Sequence, residues 1–191
     1  MDDITYLYQH GIEQHQAHLI LHGVTEGIDS KFIQNIFKSL KTKTGSLLAF
    51  NFPYINAGTS PSDQLDEEVS ALHTAIIFLQ AQGISTIHIV AKSLGGIVVS
   101  YWYEHHKPAD IKITLTILGY VLGDVHTKTI KPILLKVIQG GLDDYGNAEA
   151  VKNELNQYDI VAPVIEIADA DHSYRDSQGN PTHQQQAIQA I

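Results

Sequence analysis

Short, strongly apolar runs alternate along the chain with longer stretches of helical period. The runs occupy 17–21, 46–50, 86–91, 113–119, 133–138 and 164–168. They are apolar at consecutive rather than alternate positions, as strands covered on both faces are. Helical spacing covers about 31–41, 65–81, 94–106, 148–157 and 182–191.

The boundaries carry helix chemistry. Asp29 or Ser30 can cap the first helix through a side-chain oxygen. Asp66, Glu67 and Glu68 fill the first turn of the second, where the helix dipole favours negative charge. Gly83 follows that helix and Pro108 follows the third, and both residue types stop helices. Thr5-Tyr6-Leu7-Tyr8 is read as a short leading strand.

This alternation predicts an α/β fold: a mainly parallel central sheet of about six or seven strands with helices on both faces, a three-layer sandwich. No repeat, linker or shift in composition divides the 191 residues, so 1–191 is read as a single domain. In open α/β sheets chemistry gathers at the carboxyl ends of the strands. The loops after Leu21, Ala91, Ile138 and Ala168 therefore hold the candidates.

The segment Ile89-Val90-Ala91-Lys92-Ser93-Leu94-Gly95-Gly96 reads strand, sharp turn, helix. A nucleophile elbow has this layout: a strained turn lifts the serine hydroxyl clear of the sheet, and small residues two places either side let strand and helix approach. Ala91 and Gly95 fill those places; glycine is the commoner choice at the first. A phosphate loop would need glycine where Ala91 and Thr86 stand, and is excluded. The plainer reading is a serine that caps a helix.

A serine hydroxyl needs a base, and the base needs an orienting acid. In the hydrolase arrangement with this elbow, acid and histidine follow the serine in that order. After the run 133–138 comes Gln139-Gly140-Gly141-Leu142-Asp143-Asp144, a glycine-rich turn with a carboxylate; Asp143 fits better than Asp144 by its spacing from Gly140. An ordinary turn accounts for the same residues. After 164–168 comes Asp169-Ala170-Asp171-His172-Ser173. The chain has 11 histidines, but His172 alone sits in a loop past the last strand and before the final helix. Ser93, Asp143 and His172 are thus the candidate catalytic set.

His22-Gly23-Val24 closes an early strand. Such a loop supplies one backbone N–H to a developing oxyanion, and the residue after the nucleophile supplies another. Val24 and Leu94 are the expected donors, with Gly23 beside the substrate. His22 is read as structural, since no second histidine stands at ligand spacing. The connection 119–132 is too short to hold a lid, which predicts an open site. Tyr120, Val121 and Leu122 follow a strand end and either line the pocket or pack the loop.

Composition narrows the partners. The formal net charge of -9 argues against a nucleic-acid surface. With no cysteine there is no disulfide, thiolate metal site or cysteine nucleophile. Met1-Asp2-Asp3-Ile4 lacks the basic-then-apolar pattern of a secretion signal, and no apolar run is long enough to span a bilayer. The expectation is a soluble cytoplasmic protein acting on a small acyl substrate, with no metal, cofactor, nucleic-acid or membrane partner.

Taken together, His22-Gly23, Asn51-Phe52-Pro53-Tyr54, Ala91-Lys92-Ser93-Leu94-Gly95-Gly96, Gln139-Gly140 with Asp143, and Asp171-His172-Ser173 resemble the α/β-hydrolase superfamily, in its small, lid-less, dienelactone-hydrolase-like branch. The resemblance covers about 19–172. It implies the triad Ser93, Asp143, His172 and places Tyr54 beside the site as a substrate-binding residue. Dienelactone hydrolases usually carry a cysteine nucleophile where this chain has Ser93, so their substrate is not carried over. The implied activity is hydrolysis of an ester or thioester through an acyl-enzyme. The alternative is an interaction or scaffold protein that keeps the fold around a vestigial site.

Overall fold

The computed structural model describes residues 4–41 and 45–191. Met1, Asp2 and Asp3, on which the reading of the N-terminus rests, lie outside them.

Seven strands make one sheet: β1 (Tyr6–Gln9), β2 (Glu13–Leu21), β3 (Gly45–Phe50), β4 (Thr86–Lys92), β5 (Lys112–Leu118), β6 (Leu134–Gly140) and β7 (Val164–Ile167). Their order is β1-β3-β2-β4-β5-β6-β7. The leading strand β1 pairs antiparallel with β3, and the other five pairings are parallel. The helices are α1 (Lys31–Leu40), α2 (Pro53–Ala57), α3 (Asp66–Ala81), α4 (Leu94–His106), α5 (Thr127–Ile130), α6 (Ala148–Gln157) and α7 (Gln184–Gln189).

The apolar runs become strands because each has two faces to bury. Leu19, Leu21, Ile87, Ile89 and Ile117 pack with residues of α3, α4 and α6. Their neighbours Ile20, Val90, Leu118 and Ile138 pack with α1 and α7 on the other side. Full burial of one such side chain contributes about 1.5–3 kcal/mol, so the two cores supply most of the driving force. Of the two candidates, Ser30 caps α1, its hydroxyl accepting from Ile33 N at 3.3 Å. Gly83 ends α3 at φ +82. Glu68, one of the three first-turn acids of α3, is fully buried and accepts from the Ser62 hydroxyl and N–H.

Some elements depart from the pattern-based expectation. α2, α5 and a 3₁₀ turn at Asp63–Leu65 are too short to show a period. The final helix is shorter than 182–191, because residues 182 and 183 still belong to the turn that leads into it. Between β5 and β6 the chain inserts only α5, with no cap domain. No helix of the described residues is long and apolar enough to cross a membrane.

The topology sets where chemistry can occur. From β2 the chain moves to one side to form β3, then crosses back to β4 and continues outward to β7. Strand order therefore reverses between β2 and β4, and a crevice opens at their carboxyl ends. His22-Gly23-Val24 leaves β2 there, and Ser93 leaves β4 there.

Candidate active site

Ser93 stands between β4 and α4 with φ 49 and ψ -115, a conformation that L-residues rarely adopt. The surroundings impose it. Ser93 N donates to Leu118 O at 2.9 Å, and Gly96 N donates to Ser93 O at 2.8 Å. A β-carbon on Gly95 would lie 2.8 Å from Leu21 Cβ and 3.1 Å from His22 O, so only glycine lets α4 seat against β2. Ala91, where glycine is commoner, is fully buried without distortion of the strand register.

Asp143 reaches the site from the turn after β6. It is 5% exposed, and its carboxylate has three donors. Gln139 Nε2 donates to Oδ2 at 2.8 Å, Tyr145 N donates to Oδ1 at 2.8 Å, and His172 Nδ1 meets Oδ2 at 2.7 Å. Asp144 is exposed and takes no part. Gln139 also donates to the carbonyls of Tyr120 and Gly146 and accepts from Tyr120 N at 2.7 Å, locking the loops after β5 and β6 together. In sequence Gln139 is marked only as a lone amide at the buried end of an apolar run, and nothing there points to this role.

His172 comes from the turn after β7. Asp171 Oδ1 accepts from Ser173 N and Arg175 N, and Tyr174 is buried with its hydroxyl donating to Ile138 O at 2.7 Å. The imidazole is thereby aimed at the elbow: His172 Nε2 lies 2.8 Å from Ser93 Oγ. An ionised carboxylate only accepts, so the proton sits on Nδ1 and Nε2 faces the hydroxyl as an acceptor. The Tyr145 ring lies against the imidazole, centroids 4.6 Å apart. Ser93, His172 and Asp143, drawn from three loops, thus form one hydrogen-bonded chain.

The loop after β2 is pinned by the segment after β3. Phe52 N donates to His22 Nε2 at 2.9 Å, and His22 Nδ1 then donates to Gly23 O at 2.6 Å. Tyr54 Oη donates to the same carbonyl at 2.9 Å. Asn51 Oδ1 accepts from Ile28 N at 2.8 Å. Burial lowers the His22 pKa below its ordinary 6.5, which preserves the neutral tautomer that both bonds need. In a trans peptide the C=O and N–H point in opposite directions. Two donors hold the Gly23 carbonyl, so the Val24 N–H of the same peptide points the other way, and Val24 lines the cleft with Ser93 and His172. Leu94, the first residue of α4, has an N–H with no acceptor inside its helix.

Two expected substrate contacts are corrected. Tyr120 is fully buried, its hydroxyl bonded to Thr127 and to Glu154 Oε1, so it packs the loop and does not line the cleft. Neither Val121 nor Leu122 lines the cleft. Tyr54 is 3% exposed and its hydroxyl is taken up by Gly23; it borders an adjoining groove and supports the loop instead. Gly23 does line the cleft.

The cleft holds about 270 Å³ and is walled also by Glu26, Lys92, Tyr145 and Arg175, none of which was read as a site residue from sequence. It adjoins a groove of about 1100 Å³ with which it shares residues including Val24, Glu26, Phe32 and Arg175. Among the described residues no cluster of three His, Cys, Asp or Glu side chains is arranged to hold a metal ion.

A family model described as an α/β-hydrolase domain matches residues 14–191. Solved structures share the fold. A protein of unknown function from Agrobacterium tumefaciens superposes with a TM-score of 0.80 at 14% identity, over 98% of this chain and 89% of that one. A lid-less serine hydrolase from Xanthomonas campestris gives 0.71 at 18% identity, covering 98% and 87%. Est1E from Butyrivibrio proteoclasticus, solved with ferulic acid bound, gives 0.71 at 15% identity, covering 98% and 92%. No curated protein sequence matches the chain.

Proposed function

Because the chain belongs to the α/β-hydrolase family, we propose that it is a serine hydrolase that cleaves an ester or thioester of a small acyl substrate through an acyl-enzyme. The observation that carries this reading is the continuous chain Ser93 Oγ, His172, Asp143, with links of 2.8 and 2.7 Å.

Ser93 Oγ attacks the acyl carbonyl as its proton passes to His172 Nε2. Asp143 holds the imidazole in the Nδ1–H tautomer and stabilises the imidazolium. The Val24 and Leu94 N–H groups receive the oxyanion, and losing one such donor typically costs about 100- to 1,000-fold in rate. His172 returns the proton to the leaving group, which departs and leaves the acyl group on Ser93. Water, deprotonated by His172, then releases the acid and restores the serine. The open cleft and the absence of a cap suit a substrate that projects into solvent.

The test is labelling with a fluorophosphonate probe, together with turnover of short p-nitrophenyl esters. Wild-type protein should be labelled at Ser93, and Ser93→Ala should lose both label and turnover while keeping its melting temperature within a few degrees. Turnover that survives in Ser93→Ala would remove the assignment.

A further inference from the structure

Lys92 is a second chemically conspicuous group in the cleft, and the hydrolytic steps above make no use of it. It ends β4 and directly precedes Ser93. Its side chain passes under Gly23, where Cγ lies 3.6 Å from the position a β-carbon would take. It ends at Gly119. A β-carbon there would lie 2.9 Å from Lys92 Nζ and 2.9 Å from His172 Cε1, so the ammonium sits beside the imidazole edge.

The residue is 8% exposed and is one of the residues that line the cleft. Among the described residues, Nζ has no acceptor within hydrogen-bond distance and no carboxylate within ion-pair distance. Asp143 and Asp171 act on it only from further away. Both carboxylates already serve other donors: Asp143 takes Gln139, Tyr145 and His172, and Asp171 takes Ser173 and Arg175. An ammonium carries three donors, and one this enclosed with no protein acceptor is left to the little solvent that reaches it. Burial pulls its pKa down from 10.5 to about 8, so at pH 7 it still carries its charge.

We propose that Lys92 is a substrate-recognition residue whose ammonium binds a carboxylate on the acyl part of the substrate, next to the scissile bond. This rests on the serine-hydrolase reading for the identity of the bound molecule as a substrate. The cleft's other charged liners, Glu26 and Arg175, are one of each sign, so Lys92 decides the local preference. A carboxylate fits better than a phosphate dianion, because Asp143 and Asp171 lie close enough to repel a second negative charge.

The test compares two methyl esters of equal chain length, monomethyl glutarate and methyl valerate, by proton release. The ratio of their kcat/KM values should favour monomethyl glutarate in the wild type and fall at least tenfold in Lys92→Met. A ratio unchanged within twofold would overturn the proposal. Glutarate binding, followed by amide shifts of Leu94 and Gly119 in wild-type protein, needs no turnover and no variant. Saturable shifts there support the carboxylate site even where Ser93 proves inert. Ser93 that labels with fluorophosphonate in a protein that ignores glutarate overturns this inference and leaves the hydrolase reading intact. Inorganic phosphate that binds the same amides as tightly as glutarate overturns the choice of carboxylate.

Discussion

The Tyr54 hydroxyl donates to the carbonyl of Gly23 across a separation of 31 residues, at 2.9 Å. The bond fixes the far side of the peptide whose N–H belongs to Val24. Tyr54→Phe removes it and leaves the bond from His22 Nδ1 to hold that carbonyl. The expected result is a fall in kcat of about tenfold, less than the loss of a whole oxyanion donor, with KM within twofold. Stability should drop by about 1 kcal/mol, as for one buried hydrogen bond. Steady-state kinetics and thermal melts check both; an equal loss through KM would show that Tyr54 touches substrate instead.

Ser93 is held at positive φ in a geometry that costs on the order of 1–3 kcal/mol for a residue with a β-carbon. Glycine adopts such angles freely, at some cost in unfolded-chain entropy. Neither Ser93→Ala nor Ser93→Gly can form an acyl-enzyme, but they should differ in stability. Ser93→Gly is expected to be more stable than Ser93→Ala by about 1 kcal/mol, read from denaturant midpoints. The opposite order would mean that the turn stores no strain.

His22 should make the fold acid-sensitive. Burial lowers its pKa in the folded chain below the ordinary 6.5. The unfolded chain therefore binds the proton more readily, and the associated stability is whole above pH 6.5 and falls as pH drops from there toward the folded-state value. Protonation of Nε2 also destroys the acceptor for Phe52 N. His22→Gln is expected to be less stable than wild type at pH 7.5 and to lose less on acidification. Melts at pH 7.5 and pH 5 measure the two slopes; parallel slopes would refute the linkage.

Gly140 marks the contact between the loops that deliver Asp143 and His172. A β-carbon there would lie 2.5 Å from both Ala170 O and Asp171 O, which are backbone atoms that cannot step aside. Gly140→Ala should cost about 1–3 kcal/mol, as overpacking does. It should also push the turn carrying His172 away from Asp143, so that kcat/KM falls well below wild type at temperatures where the variant is still folded. A variant with lowered stability and wild-type kcat/KM would show that the turn relaxes elsewhere.

Much of the architecture was legible because burial on both faces leaves a simple mark. Runs such as 86–91 read as strands covered on both faces, and the helices 94–106 and 148–157 match α4 and α6 residue for residue. The same logic brought Ser93, Asp143 and His172 forward as residues at strand ends in a particular order. Side-chain direction was not legible. Tyr54 and Tyr120 stand beside functional loops in sequence, yet each turns its hydroxyl inward, to Gly23 and to Thr127 with Glu154 respectively, because a buried phenol needs an acceptor that only the tertiary fold supplies. Gln139 and Lys92 were overlooked for a related reason: their meaning lies in what β5, β6 and the last turn bring to them across the sheet.

The placement of His172 has a further consequence. It follows β7, a four-residue strand at the margin of the sheet with a neighbour on one side only. Short border segments open in fluctuations that need less free energy than global unfolding. Each detachment of this margin would carry the imidazole away from a hydroxyl that the interior strands keep in place. Activity would then report on the most weakly held part of the molecule, and it should decay at denaturant concentrations where far-ultraviolet dichroism still records an intact sheet.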